Sequence, residues 1–249
     1  MIVRLKNDKK IDFAKGFDLS ITLSASENNP LAWYVEPPRF EPVRTDNWIG
    51  AVKEGGAVNF RDIYFNPHGH GTHTECLGHI TREIFSINDS LHQFFFNARL
   101  VSVQLKEVIQ SGVVDRIITA ENLRKVAGYE PVEALIVRTL PNSNEKMGKN
   151  YSASNPPYFD TQCLHILEDL GVKHLLVDLP SVDKELDGGI LAFHHGFWCV
   201  PENPQKDKTI TEFIFVADEI QDGEYILNLQ VANFENDAAP SRPVIYKPF

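Results

Sequence analysis

The chain has 249 residues, 43% of them hydrophobic, which suits one large domain with a sizeable core. Its formal net charge of −10 and sequence pI near 5.4 argue against a surface built for nucleic acid or anionic membrane. No apolar run reaches the ~18 residues of a membrane span, and the N-terminus lacks the apolar centre of a signal peptide. Cys76, Cys163 and Cys199 are odd in number and widely spaced, so no disulfide framework is expected and a reducing cytoplasm is the simplest location.

In chain order, Phe17–Leu23 alternates like a strand. Pro30, Pro37, Pro38 and Pro42 then exclude a helix from the connection that follows. That connection carries Trp33, Tyr34, Phe40 and Trp48, read as cover for a core edge, with one or two free to wall a substrate pocket. Gly55-Gly56 reads as a hairpin turn into an alternating strand over Ala57–Phe65. Beyond residue 79 the pattern becomes mixed α/β. Strands are predicted over Ala98–Leu105, Ala134–Thr139, His174–Asp178, Thr211–Ala217 and Gly223–Val231. Helices are predicted from a Thr119 cap through Val126, and over Asp160–Leu170 with Gly171 as the stop. Asn142–Pro157 is polar and predicted to be an exposed loop, and the tail Pro240–Phe249 is expected to run along the surface or across a neighbouring subunit. A helix followed by a near-continuous apolar strand implies parallel pairing in a covered sheet. With no internal repeat or linker, the expectation is a single domain over residues 1–249, of α/β class with a mixed sheet.

The most informative stretch is Asn66–His79, which holds His68, His70, His73 and His79, four of the chain's nine histidines, and Glu75 among them. Imidazoles and a carboxylate on a glycine-bearing loop are what a zinc- or manganese-type cation requires. Gly69 and Gly71 allow tight turns, and His73 and Glu75, two apart, share one face of an extended segment. The glycines argue against a helical His-Glu-x-x-His site. A catalytic metal needs further ligands from elsewhere; His194, His195 and Glu212 are the distant candidates, Glu212 because it interrupts an apolar strand. His92, His165 and His174 read as structural or exposed. Neither a nucleotide-binding glycine motif nor a Gly-x-Ser-x-Gly elbow is present, which disfavours nucleotide cofactors and a serine hydrolase.

The run His70-Gly71-Thr72-His73-Thr74-Glu75-Cys76-Leu77-Gly78-His79 resembles the His-x-Gly-Thr-His-x-Asp-x-Pro-x-His motif of the metal-dependent cyclase family, which includes bacterial kynurenine formamidases and isatin hydrolases. Asp18-Leu19-Ser20, Asp178-Leu179-Pro180-Ser181-Val182-Asp183, and His194 followed by Glu212 resemble three further family stretches in the same order. The resemblance implies a swivelling β/β/α cyclase-like fold, a homodimer or homotetramer, a centre of one or two zinc or manganese ions, and arylformamidase activity of the kind found in tryptophan catabolism. Carried over by position, it implies His73, Glu75, His194 and Glu212 as metal ligands and His79 as the proton carrier. The family's first histidine would fall on Gly69, so His68 or His70 must substitute; His68 is preferred because Gly69 could let a bulge bring it inward. Glu75 stands where the family has aspartate and Leu77 where it has proline.

The chemistry expected of such a site is hydrolysis of an amide-type C–N bond (aryl formamide, lactam or cyclic amide), with Trp33, Trp48, Phe197 and Trp198 available to stack on a flat small-molecule substrate. A metal-dependent lyase or dehydratase acting on a hydroxy acid, or a non-catalytic metal-binding protein, are the alternatives.

Overall fold

Four parallel strands, Phe95–Gln104, Ala134–Leu140, His174–Val177 and Thr209–Glu212, lie side by side in that order. Ala134–Leu140 and His174–Val177, in the middle, are buried on both faces, which is why their sequences read as near-continuous apolar runs. The computed structural model that shows this describes residues 1–5, 8–110 and 112–249. Alternation divides the strands between two cores. Val101, Val103, Leu135, Val137, Leu175, Val177 and Ile210 face one side, where they meet Leu123 and Ala127 of helix Ala120–Ala127, Ile166 and Leu167 of helix Cys163–Asp169, and Phe193, Phe197 and Trp198 of helix Ala192–Trp198. Ala98, Leu100, Ala134, Ile136 and Leu176 face the other side, against Tyr225, Leu227, Ile245 and Leu19.

No helix covers that second face among the described residues; the sheet covers itself. Antiparallel strands extend it to nine, with Ala238–Pro240 and His73–Glu75 beyond Thr209–Glu212, and Gly223–Asn228, Val244–Tyr246 and Gly16–Asp18 beyond Phe95–Gln104. Ala238–Pro240 is the first strand of this sheet and Val244–Tyr246 the eighth, yet only Ser241, Arg242 and Pro243 separate them in the chain. Laid flat, seven interstrand steps would span about 34 Å, while that connection reaches at most about 14 Å. The sheet must therefore curl, and Ser20 bridging to Ile214 closes the curl from the opposite edge. The result is a mixed α/β fold with a rolled mixed sheet.

Several expected elements are found with shifted ends. The Thr119 hydroxyl accepts from Asn122 N–H and caps the helix as its sequence predicts, and Gly171, at φ 67°, terminates the next helix after Leu170. Four expectations need correction. The tail is not a surface strap: Ala238–Pro240 and Val244–Tyr246 are sheet strands, and Ile245 is fully buried. The Asn142–Pro157 loop is not wholly exposed, since Tyr151, Pro156 and Pro157 are buried. The strand expected over Thr211–Ala217 runs instead over Thr209–Glu212, because Phe213 turns into the left-handed region at φ 55° and its N–H donates to Leu179 O. The Ala57–Phe65 strand shortens to Arg61–Tyr64 and pairs with Arg39–Pro42, so Gly55-Gly56 lies inside a longer excursion that also contains the Arg44–Thr45 and Trp48–Ile49 pair.

His174, at the start of a parallel strand, is buried against the Phe96 ring with Nδ1 2.9 Å from Thr209 Oγ1. Burial disfavours its cation and lowers its pKa to about 4. Below the unfolded value of about 6.5 the unfolded chain binds the proton and the folded chain does not, so stability falls as pH drops from there toward 4. Urea unfolding is expected to show about 2 kcal/mol more loss between pH 7 and pH 5 for the native chain than for His174→Gln; equal losses would show that His174 does not carry this dependence.

Candidate metal centre

Register builds the centre. The strand His73–Glu75 pairs antiparallel with Thr209–Glu212 so that His73 lies opposite Glu212 and Glu75 opposite Ile210. Side chains alternate, so His73, Glu75 and Glu212 project from one face while Thr74 and Thr211 join hydroxyls on the other at 2.8 Å. The shared face is the helix-covered one, where the helix Ala192–Trp198 brings in His194. Gly71, at φ 144°, makes the turn that leads into the strand.

Glu75 is the hub, and it is completely buried. Its Oε1 lies 3.1 Å from His194 Nε2, and its Oε2 lies 3.0 Å from His68 Nδ1 and 3.9 Å from both His73 Nε2 and His79 Nε2. His73 Nε2 is 3.5 Å from Glu212 Oε2. Three of these imidazoles are held from behind by an oxygen. His73 Nδ1–H donates to Gly71 O at 2.9 Å, His194 Nδ1–H to Asp183 Oδ2 at 2.6 Å, and His68 Nε2–H to Asp237 Oδ2 at 2.8 Å. Each such bond fixes the ring so that its other nitrogen points inward. Asp183 is itself held, accepting from the backbone N–H of Phe193 and His194.

Electrostatics match the geometry. Burial alone would raise Glu75, but His79, His194 and His68 outweigh it and hold the carboxyl well below the ordinary range. Glu212 is pushed well above that range by burial and by the Glu75 charge. Burial opposes charge on His68 and His194, yet their carboxylate partners raise both to about 10, whereas burial takes His73 down to about 4. Glu75 and Glu212 thus face a small buried volume, with Asp183 and Asp237 behind the rings of His194 and His68, a concentration of carboxylates that favours positive charge.

The donor atoms fit a divalent cation. His68 Nδ1, His73 Nε2, Glu75 Oε2 and Glu212 Oε1 are buried without a hydrogen-bond partner, and among the described residues only Ser241 Oγ shares that condition. Ligand atoms of His68, Glu75 and His79 lie within 4.8 Å of one another, as do those of His73, Glu75 and Glu212. Imidazole nitrogen with carboxylate oxygen is the set expected for zinc or manganese.

His70 does not join the cluster. Its Nδ1 accepts from Asn66 N–H at 2.6 Å and its Nε2–H donates to Glu36 O at 2.7 Å, so both nitrogens are committed to the loop. His195 also points away, with Nδ1 3.2 Å from Val200 O. A cavity of about 150 Å³ opens beside the cluster, lined by Trp33, His68, His79, Ser181, Lys184, Leu191, His194 and Glu212. Trp33 and Tyr34 both have left-handed backbones, at φ 60° and 58°, and Tyr34 is tied down by Ser152 and Glu185, which sets the indole at the cavity wall.

The other expected aromatics do not line this cavity. Trp48 packs edge-on against Phe60 in the exposed excursion. Phe197 and Trp198 are buried in the helix-side core, and Trp198 Nε1–H donates to Lys208 O, so neither can stack on a substrate. Reasoning from sequence did not single out Asp237, whose only signal is its place immediately before an apolar Ala-Ala pair.

Residues 17–184 match the family described as "Putative cyclase". The chain belongs to the cyclase family. Family relatives include the kynurenine formamidase of Bacillus cytotoxicus, 30% identical over 200 residues that cover 79% of this chain and 85% of that one. The kynurenine formamidase of Bacillus thuringiensis (strain Al Hakam) is 28% identical over 228 residues, covering 90% and 96%. Among solved structures, an isatin hydrolase bound to the product analogue thioisatinate superposes with a TM-score of 0.67 at 14% identity, covering 94% of this chain and 93% of that one. The "predicted metal-dependent hydrolase from Bacillus stearothermophilus" gives 0.63 at 14%, covering 93% and 98%. These structures share the cyclase-family fold with this chain.

Because Phe197 sits in the core and not at the cavity, Phe197→Ala is expected to cost about 3–5 kcal/mol of folding stability by urea denaturation. A cost below about 1 kcal/mol would place the ring outside the core.

Proposed function

We propose that this chain is a metal-dependent hydrolase that cleaves an amide-type C–N bond, with an aryl formamide as the preferred substrate class. The single observation that carries the reading is the buried set of inward-facing, unpartnered donor atoms on His68, His73, Glu75 and Glu212 beside an open cavity. Kynurenine formamidases among the relatives, matched along most of their length, support the bond type.

In this reading His68, His73, Glu75, His194 and Glu212 would hold one or two zinc or manganese ions. A divalent cation bound there supplies Lewis acidity for a carbonyl and lowers the pKa of water toward about 7. The remaining work falls to the protein. Trp33 presents a flat apolar wall on which an aryl ring can stack, orienting the scissile group toward Glu75. His79 is the most exposed imidazole of the cluster, with a side chain 31% accessible, so it can meet both water and substrate. Its Nε2, 3.9 Å from Glu75 Oε2, accepts the proton of the attacking water. As the C–N bond breaks, the same nitrogen returns that proton to the leaving amine. Oxygen from water ends on the acyl carbon, and the products are an amine and a carboxylic acid, which releases its remaining proton to solvent.

The test is to strip the protein of metal, reload it separately with Zn²⁺ and Mn²⁺, and assay an aryl formamide, isatin and a hydroxy acid. Hydrolysis of the formamide with at least one bound ion per chain is expected, and Glu75→Ala should lose both bound metal and activity. His79→Ala should keep the metal and lose roughly 10²–10⁴-fold in kcat. Retention of both metal and activity by Glu75→Ala would overturn the proposal.

A further inference from the structure

Asp237 Oδ2 touches two imidazoles at once. It accepts from His68 Nε2–H at 2.8 Å and lies 3.4 Å from His79 Nδ1. The two rings stack over each other with centroids 4.2 Å apart and planes inclined by 27°. Both turn their opposite nitrogens toward Glu75 Oε2, His68 Nδ1 at 3.0 Å and His79 Nε2 at 3.9 Å. One carboxylate oxygen therefore fixes the His68 tautomer and lies within ion-pair distance of the His79 ring stacked on it.

We infer that Asp237 is a positioning residue that makes His68 a metal ligand through Nδ1 and aligns His79 as the proton carrier, an inference that rests on the proposed metal-dependent activity. The backbone shows why such a residue is required. His68 comes from the loop before the strand, between Pro67 and Gly69, and is not on the regular face that presents His73 and Glu75. Its side chain is 19% accessible, the most of the proposed ligands, so packing alone does not lock its ring. An imidazole with two free nitrogens can ligate through either and can flip. Committing Nε2–H to Asp237 leaves only the Nδ1 lone pair for a cation.

Placement of Asp237 is itself rigid. Its carbonyl accepts from Cys76 N–H at 3.0 Å, one residue after Glu75, and the next residue begins the strand that pairs with His73–Glu75. The register that brings Ala238 opposite Glu75 thus delivers Asp237 to the edge of the cluster. The arrangement has a further consequence for proton transfer. A proton accepted at His79 Nε2 creates an imidazolium whose Nδ1–H faces Asp237, so the carboxylate stabilises the charge as it forms. No proton leaves His79 for Asp237 in this step; it returns from Nε2 to the leaving nitrogen.

The test uses a double-mutant cycle on the full chain, with Zn²⁺ affinity measured by chelator competition, and no substrate is needed for that arm. Asp237→Ala is expected to weaken Zn²⁺ binding about 10–100-fold, to have no further effect in a His68→Ala background, and to be partly rescued by Asp237→Asn, whose amide oxygen can still accept from His68. With metal saturating, Asp237→Ala should also lower kcat while leaving KM within a few-fold. Unchanged affinity in Asp237→Ala, or the same fold-loss in both backgrounds, would overturn the inference while leaving the hydrolase reading intact. Failure of the native chain to bind Zn²⁺ or Mn²⁺ would instead overturn the hydrolase reading, and this inference with it.

Discussion

A fully buried carboxylate is stable only where the fold supplies positive charge, and Glu75 imposes that condition on everything around it. The strand register sets His73 and Glu212 across from each other, the helix after Asp183 brings His194, and the loop before the strand brings His68. Each imidazole is braced from outside by an oxygen, on Gly71, Asp183 or Asp237, so that its remaining nitrogen faces Glu75. A ring held this way loses little entropy on accepting a cation, and the inward nitrogens of His68 and His73 have no hydrogen-bond partner in the protein.

The rolled sheet makes this arrangement possible. Elements that contribute to the centre lie more than a hundred residues apart in the chain, Glu75 and His194 being 119 positions apart. Ala238–Pro240 pairs with His73–Glu75, which gives the centre Asp237, and its short connection to Val244 requires the curl. The same curl lets the sheet bury its second face without helices. The site therefore sits where an extended antiparallel strand meets the last parallel strand, near the carboxyl end of the latter at Glu212. That is the region where open α/β sheets commonly place their ligands.

Much of this could be read from the residues. The two-residue spacing of His73 and Glu75 predicts a shared face, and Glu212 stands out as a carboxylate in an apolar strand; both properties depend only on local alternation. The buried parallel strands and the Thr119-capped helix were legible for the same reason. What was not legible depends on long-range geometry. Whether His68 or His70 turns inward depends on Asn66 and Glu36, whose backbone groups occupy both nitrogens of His70. Phe197 and Trp198 look like exposed stacking surfaces in a short segment, but the helix face they occupy points into the core. The tail resembles a strap because proline and polar residues interrupt it, yet two three-residue strands within it complete the sheet. Asp237 carries no local signal beyond the Ala-Ala pair that follows it, since its importance lies in what the sheet places beside it.

The central claim is that the inward nitrogens and carboxylate oxygens around Glu75 bind a divalent cation. The most direct measurement is a crystal structure of the zinc-loaded protein with anomalous data at the zinc edge. The account predicts an anomalous peak bounded by His68 Nδ1, His73 Nε2, Glu75 and Glu212, at ligand distances of about 2.0–2.2 Å. A loaded crystal with no peak at that position, or with the zinc held by His70 instead, would contradict it.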